Sequence, residues 1–197
     1  MCLITKRTSL NEQSLIQGLQ KGDEKMFSLM VETYKHMVFN TVLGLVMNFE
    51  EAEDLSQDVF VLVFQQIQSF RSASKFSTWL YTIAVRTALN HLRKQKAKKR
   101  AVYIKRFFGM EVEQEISQTD FHHPGVILDN KEYAAVLFKA LQQLPENQRV
   151  AFLLVKTEDL RYDEVAEILG VSIKGVEGLM HRAKEKLRNV LNDYYKS

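Results

Sequence analysis

The chain has 197 residues, a formal net charge of +3 and 46% apolar residues, with only two prolines, eight glycines and one cysteine. So few breakers leave long uninterrupted stretches, which points to an all-α protein. Cys2 alone excludes an internal disulfide and a cysteine-built metal site, and no apolar run reaches membrane-spanning length, so the expected location is cytoplasmic.

Charge is segregated along the chain. Met1 to Asp58 holds nine acids against five bases, Val59 to Met110 holds eleven bases and no acid, and Glu111 to Ser197 holds fifteen acids against eleven bases. A chain of this kind presents different faces to different partners.

A short helix is expected over residues 11–20, then Gly22-Asp23 punctuates and Asp23 caps a long second helix. Phe27, Met30, Val31, Tyr34, Val38, Val42 and Leu45 recur there at helical spacing. A third helix runs from Phe49 to Phe70 and buries Leu55, Val59, Leu62, Val63, Ile67 and Phe70. Another of its faces carries Asp54, Gln57, Asp58, Val61 and Gln65, at offsets of 3, 4, 7 and 11, so these side chains line one side. The acids Glu50, Glu51, Glu53 and Asp54 suit the positive N-terminal end of that helix. No histidine stands near them, which argues against a carboxylate metal site.

Residues 71–75 form a loop, and Ser74 or Ser77 caps a fourth helix from Thr78 to about Arg100. Its buried stripe is Leu80, Ile83, Ala84, Thr87, Ala88 and Leu92. Phe76, Trp79 and Tyr81 stand at its start, and Arg86, Arg93 and Lys94 lead a basic tail that continues to Arg106. Flat rings beside a field of one sign are what an opened nucleic-acid strand needs. The plainer readings are a solvated basic helix and, for Trp79, an ordinary core residue. Together the four helices make a first domain, residues 1–100. From 101 to 129 the periodicity fails, Glu111, Glu113, Glu115 and Asp120 replace the bases, and the segment reads as a linker. His122 and His123 lack a third ligand close by and read as loop residues.

A second domain covers residues 130–197. Tyr133, Val136, Leu137, Ala140, Leu141 and Leu144 form one stripe, and Pro145 suits the first turn of the following helix. Val165, Ala166, Ile168 and Leu169 belong to a short helix ending at Gly170, where a left-handed cap costs glycine least. Val171 packs in the turn, Ser172 caps the last helix, and Val176, Met180, Ala183, Leu187 and Val190 bury its inner side. Two helices joined by a short Gly-containing turn make a helix-turn-helix. The outer side of the last helix holds Lys174, Gly175, Glu177, Gly178 and His181, with Arg182 just off it. Two glycines there cost about 1 kcal/mol each in helix propensity, and small exposed residues allow close approach to duplex DNA. Base readout then falls to Lys174, Glu177, Gly178 and His181, with Arg182 and Lys184 on phosphates. A hairpin that merely closes a bundle is the alternative.

Four groups of fragments stand in one order along the chain: EDLSQDVFVLVFQQIQSF (53–70), FSTWLYTIA (76–84) with HLRK (91–94), LQQLPENQR (141–149), and YDEVAEILGVS (162–172) with HRAKEKLR (181–188). Together they resemble the extracytoplasmic-function sigma factors, group 4 of the sigma-70 family, over nearly the whole chain. The resemblance implies a sigma region 2 domain, a flexible linker and a sigma region 4 domain. It implies no catalysis by this chain, no cofactor and no metal. Core RNA polymerase, promoter DNA and an anti-sigma factor are the implied partners, without direct membrane insertion.

By that resemblance Asp54, Gln57, Asp58, Val61 and Gln65 dock on the clamp helices of the β′ subunit, and the second domain meets the β flap. Phe76, Trp79, Tyr81, Arg86, Asn90, Arg93 and Lys94 open the −10 element. Ser172, Lys174, Glu177, Gly178, His181, Arg182 and Lys184 read the −35 element. The linker threads toward the RNA exit path; independently of the resemblance, the charge of Glu111, Glu113 and Glu115 suits them to mimic nucleic acid in a basic channel. Val85, Arg86 and Asn90 depart from the family pattern in the fourth helix, as do Gly175, Glu177 and Gly178 in the last, so base preferences do not carry over. A stand-alone helix-turn-helix regulator leaves the Asp54–Gln65 face unused, and a metal-dependent nuclease needs clustered carboxylates.

Overall fold

A computed structural model describes residues 12–72, 74–107 and 131–196, and among them it holds helices and no strand. The elements are α1 (Glu12–Gln20), α2 (Glu24–Val46), α3 (Phe49–Gln66), a single 3-10 turn (Ile67–Ser69), α4 (Phe76–Phe107), α5 (Lys131–Gln142), α6 (Glu146–Lys156), α7 (Tyr162–Leu169) and α8 (Ile173–Lys196). α1 to α4 form one helical cluster and α5 to α8 a second. Glu111, Glu113, Glu115, His122 and His123 lie outside the described residues.

Local chemistry sets the helix ends. The Asp23 carboxylate accepts from the N–H groups of Lys25 and Met26 at 2.8 and 3.3 Å, which satisfies two orphan donors of α2. At the other end Met47 is left-handed (φ 57°), and the Asn48 side chain accepts from the Glu51 N–H at 3.0 Å to start α3. The chain therefore reverses in two residues, and α3 folds back along α2.

α4 differs from expectation at both ends. It starts at Phe76 rather than Thr78, and its first N–H is taken by Glu12 of α1, whose carboxylate accepts from the Phe76 N–H at 2.7 Å. An acid reaching in from α1 does the capping expected of Ser74 or Ser77. At the far end α4 runs on past Arg100 to Phe107, because no Gly or Pro interrupts the chain before Gly109.

The first cluster closes over Met30, Val38, Val42, Val59, Val63, Leu80 and Ala84, all with no exposed surface. In the second, Leu141, Leu144, Val150, Leu154, Val165, Val176, Met180 and Ala183 are buried. Gly170 ends α7 at φ 65°, where a side chain would be strained, and the Ser172 hydroxyl accepts from the Gly175 N–H at 3.1 Å to begin α8. Val171 does not pack in the turn as expected: it is 38% exposed, with the small Gly175 beneath it.

The two clusters touch. One continuous core runs from α1–α4 residues into Val150, Leu154, Val165, Val176 and Met180. Gly44 sits at the contact: a Cβ there would stand 3.0 Å from Leu153 Cδ1, so a side chain at this position would push the Leu153 tip aside.

Candidate nucleic-acid and protein interfaces

Asp54, Gln57, Asp58, Val61 and Gln65 are all exposed on one side of α3. Phe64 stands beside them at 56% exposure, packing its ring at 84° on Phe27 at 5.5 Å, and Val61 is 53% exposed. Two large apolar side chains ringed by carboxylates and amides have the anatomy of a protein interface, an apolar centre with a polar rim. Sequence reasoning passed over Phe64. The available signal was its place seven residues after Gln57 and three after Val61, on the side that the polar residues line.

On α4, Arg86, Asn90, Arg93 and Lys94 are exposed, and their spacing of 4, 7 and 8 puts them on one side. Trp79 lies one heptad earlier on that side and is half-buried, its ring 5.1 Å from Phe70 and 5.7 Å from Phe76. Two aromatic expectations need correction. Phe76 has no exposed surface, because its ring fills the space between Phe70, Tyr34 and Trp79, so it is core and cannot itself face a strand. Tyr81 is 5% exposed, and its hydroxyl donates to Glu158 Oε2 at 2.8 Å, across the junction between clusters.

The register of α4 is fixed by a residue read from sequence only as a helix-end charge. The Glu51 carboxylate takes Gln95 Nε2 at 2.6 Å and lies 3.1 Å from His91 Nε2, tying α4 to the start of α3. The basic side is thereby held at a set angle to the α3 side.

Across the junction, Lys75 pairs with Glu164 at 2.7 Å and Lys96 with Glu146 at 2.6 Å. Burial pushes the Glu158 carboxyl above the usual glutamate range, against the opposing hydrogen bond from Tyr81. A raised folded-state value means that this group's stabilisation is full below the unfolded value and is lost as pH rises through the folded one. Glu158→Gln should therefore raise the thermal midpoint at pH 7, with the gap to wild type vanishing near pH 4. Melting curves across that range check it, and a constant gap would contradict it.

On α8, Ser172, Lys174, Glu177, His181, Arg182 and Lys184 are exposed, and Gly178 is half-covered by the Arg182 guanidinium, which lies 3.4 Å from where a Cβ would be. The Ser172 hydroxyl is engaged as the helix cap. α7 packs on α4 while this outer side of α8 stays open. Among the described residues no group of three His, Cys, Asp or Glu is placed to hold a metal.

Residues 30–98 match the family model for Sigma-70 region 2, and residues 135–187 match Sigma-70 region 4. The chain is 30% identical to the RNA polymerase sigma-H factor of Pseudomonas aeruginosa over 184 residues, 93% of this chain and 95% of that protein. It is 31% identical to the ECF RNA polymerase sigma-E factor of Escherichia coli over 180 residues, 91% of this chain and 94% of that one. CnrH, solved in complex with the cytosolic domain of CnrY, shares the fold: TM-score 0.68 at 19% identity, over 92% of this chain and 97% of CnrH. The sigma factor RpoE of Bartonella quintana, solved with the anti-sigma factor NepR, superposes with a TM-score of 0.59 at 25% identity, over 85% and 98%.

These complexes correct the expected cytoplasmic location. CnrH was solved bound to a domain of CnrY specified as cytosolic, and RpoE of Bartonella quintana bound to an anti-sigma factor. A location free in the cytoplasm therefore does not stand as an unqualified statement. Among the described residues no helix is long and apolar enough to cross a membrane.

Proposed function

Because this chain belongs to the extracytoplasmic-function group of the sigma-70 family, we propose that it works as a sigma factor whose three exposed sides each take one partner. The α3 side, centred on Val61 and Phe64 with Asp54, Gln57, Asp58 and Gln65 around them, docks on the clamp helices of the polymerase β′ subunit. The second cluster meets the β flap. α8 enters the major groove of the −35 element with Lys174, Glu177, Gly178 and His181 toward bases. Arg86, Asn90, Arg93 and Lys94 on α4, with Trp79, engage the −10 element.

The carrying observation is that one chain presents a helix-turn-helix with an open outer side and a separate basic helix that begins in an aromatic cluster. A stand-alone regulator has use for the first alone. The chain performs no covalent chemistry; it supplies differential binding. Unstacking a base costs a few kcal/mol and stacking on a ring returns about 1–3 kcal/mol, so contacts made through polymerase supply the rest. The free protein is accordingly a weak DNA binder. A partner of the anti-sigma kind, as NepR is to RpoE of Bartonella quintana, fits this chain as well.

Run-off transcription with purified core polymerase on genomic DNA is the test. Discrete start sites that depend on this chain support the reading, and their absence removes it. Within the −35 contact, Arg182→Ala and Lys184→Ala should weaken holoenzyme binding to all promoters alike, each lowering the steepness of the salt dependence by about one. Loss confined to particular sequences would instead make either residue a base reader.

A further inference from the structure

Beside the contact of α6 with α2 lies a cavity of about 340 Å3. Its walls include Phe39 of α2, Phe49 of α3, Leu137 and Phe138 of α5 and Leu153 of α6, with Glu158 just past the end of α6. Three phenylalanine rings thus line one space, and Phe39 and Phe49 stand edge to face, their centroids 5.2 Å apart at 68°. The volume lies in the lower part of the range for small-molecule sites, about 300–1,000 Å3. An apolar cavity of about 150 Å3 takes one benzene ring. This one has room for a body of about two fused rings.

Its polar groups select the chemistry of what it can hold. Among the described residues that line it, Glu158 alone is charged; Asn40, Thr41 and Thr157 are neutral. The Thr41 hydroxyl is already spent, donating to the Met37 carbonyl at 2.8 Å. Tyr81 gives the Glu158 carboxylate one hydrogen bond, at 2.8 Å to Oε2. An ionised carboxylate has about four acceptor positions, and among the described residues no Lys, Arg or His pairs with this one.

A carboxylate beside apolar walls is at ease only when its charge is paired, and here burial works against that charge. A ligand that brings a cation supplies the pair. The phenylalanine faces favour a cation too, within about 6 Å of a ring. An anion is repelled by Glu158, and a neutral apolar body gains the walls but not the charge.

We propose that this cavity binds a small hydrophobic amine, whose ring body lies between Phe39, Phe49, Phe138 and Leu153 and whose ammonium pairs with Glu158. Such a ligand touches α2, α3, α5 and α6 at once, so its binding raises the thermal midpoint of the chain. The site stands apart from the sides assigned to promoter and polymerase, and its test needs neither.

Isothermal titration of the full chain at neutral pH, with three naphthalene compounds of similar shape, is the experiment. Naphthylmethylamine should bind about tenfold more tightly than naphthylmethanol, because charge-assisted hydrogen bonds are about twice as strong as neutral ones, and naphthylacetate should not bind. Glu158→Gln keeps the shape of the site and should bring the amine down to the affinity of the alcohol. Leu137→Trp puts a larger ring at a position 42% exposed, and should abolish binding of amine and alcohol alike, with circular dichroism as the check on folding. Equal wild-type affinity for amine and alcohol overturns the proposal, as does no binding of the amine at millimolar concentration. Amine binding that survives both substitutions unchanged places it elsewhere on the chain and overturns the site. Should Leu137→Trp fail to fold, Glu158→Gln decides: discrimination between amine and alcohol is either lost, as expected, or kept, which sinks the pairing.

Discussion

Asp58→Arg is expected to abolish productive association with core RNA polymerase. Asp58 is exposed at the middle of the α3 side, between Asp54 and Val61. The substitution therefore leaves folding alone and places a cation where an anion faced a partner. Like-charge juxtaposition in a docked interface costs several kcal/mol. At 1.4 kcal/mol per decade, the dissociation constant should rise about 100-fold or more. Titration of labelled core enzyme measures it, with circular dichroism as the check on folding. Retained affinity would move the docking surface off α3, and Phe64→Ala should then also be silent.

Phe76→Ala should cost about 3–5 kcal/mol of stability, the range for truncating a fully buried phenylalanine. Against a total of about 5–15 kcal/mol for a domain, that leaves the first cluster near its threshold. The expectation follows from three rings closing on it, Phe70, Trp79 and Tyr34, with centroids at 5.5 to 5.7 Å. Trp79→Ala behaves differently. Its ring is half-buried, so less stability is lost, while strand binding in the holoenzyme falls by the worth of one stacked base, about 1–3 kcal/mol. Urea unfolding separates the pair, and a mild Phe76→Ala phenotype with lost strand binding would return Phe76 to the DNA side.

That contrast marks where the sequence was readable. Helix existence, the Asp23 cap, the Gly170 turn and the Ser172 cap are legible because they depend on neighbours within four residues. So is the exposure of Asp54 to Gln65, which periodicity alone dictates. The aromatic trio Phe76, Trp79 and Tyr81 was read as one wall because composition does not say which ring faces in. On the helix Tyr81 points away from Arg86, whereas Phe76 falls in line with Lys94 five turns on and is taken out of reach only because Tyr34 and Phe70 close over it. Everything held by partners far along the chain was out of reach: the Glu12 cap of α4, 64 residues away, the Glu51–His91–Gln95 tie, and the packing of α6 on Gly44. Gly44 carried a signal, since a glycine in an apolar helix asks for a close neighbour, but not the neighbour's name.

The Glu12 carboxylate closing the first turn of α4 makes that helix depend on the amino end of the chain. A nick just beyond Glu12 would strip the amide end of α4 of its acceptor and loosen α1, whose Leu15, Ile16 and Leu19 seal the same corner. Loss of the amino end through Glu12 would therefore destabilise the first cluster at the root of α4, away from the exposed sides of α3 and α8.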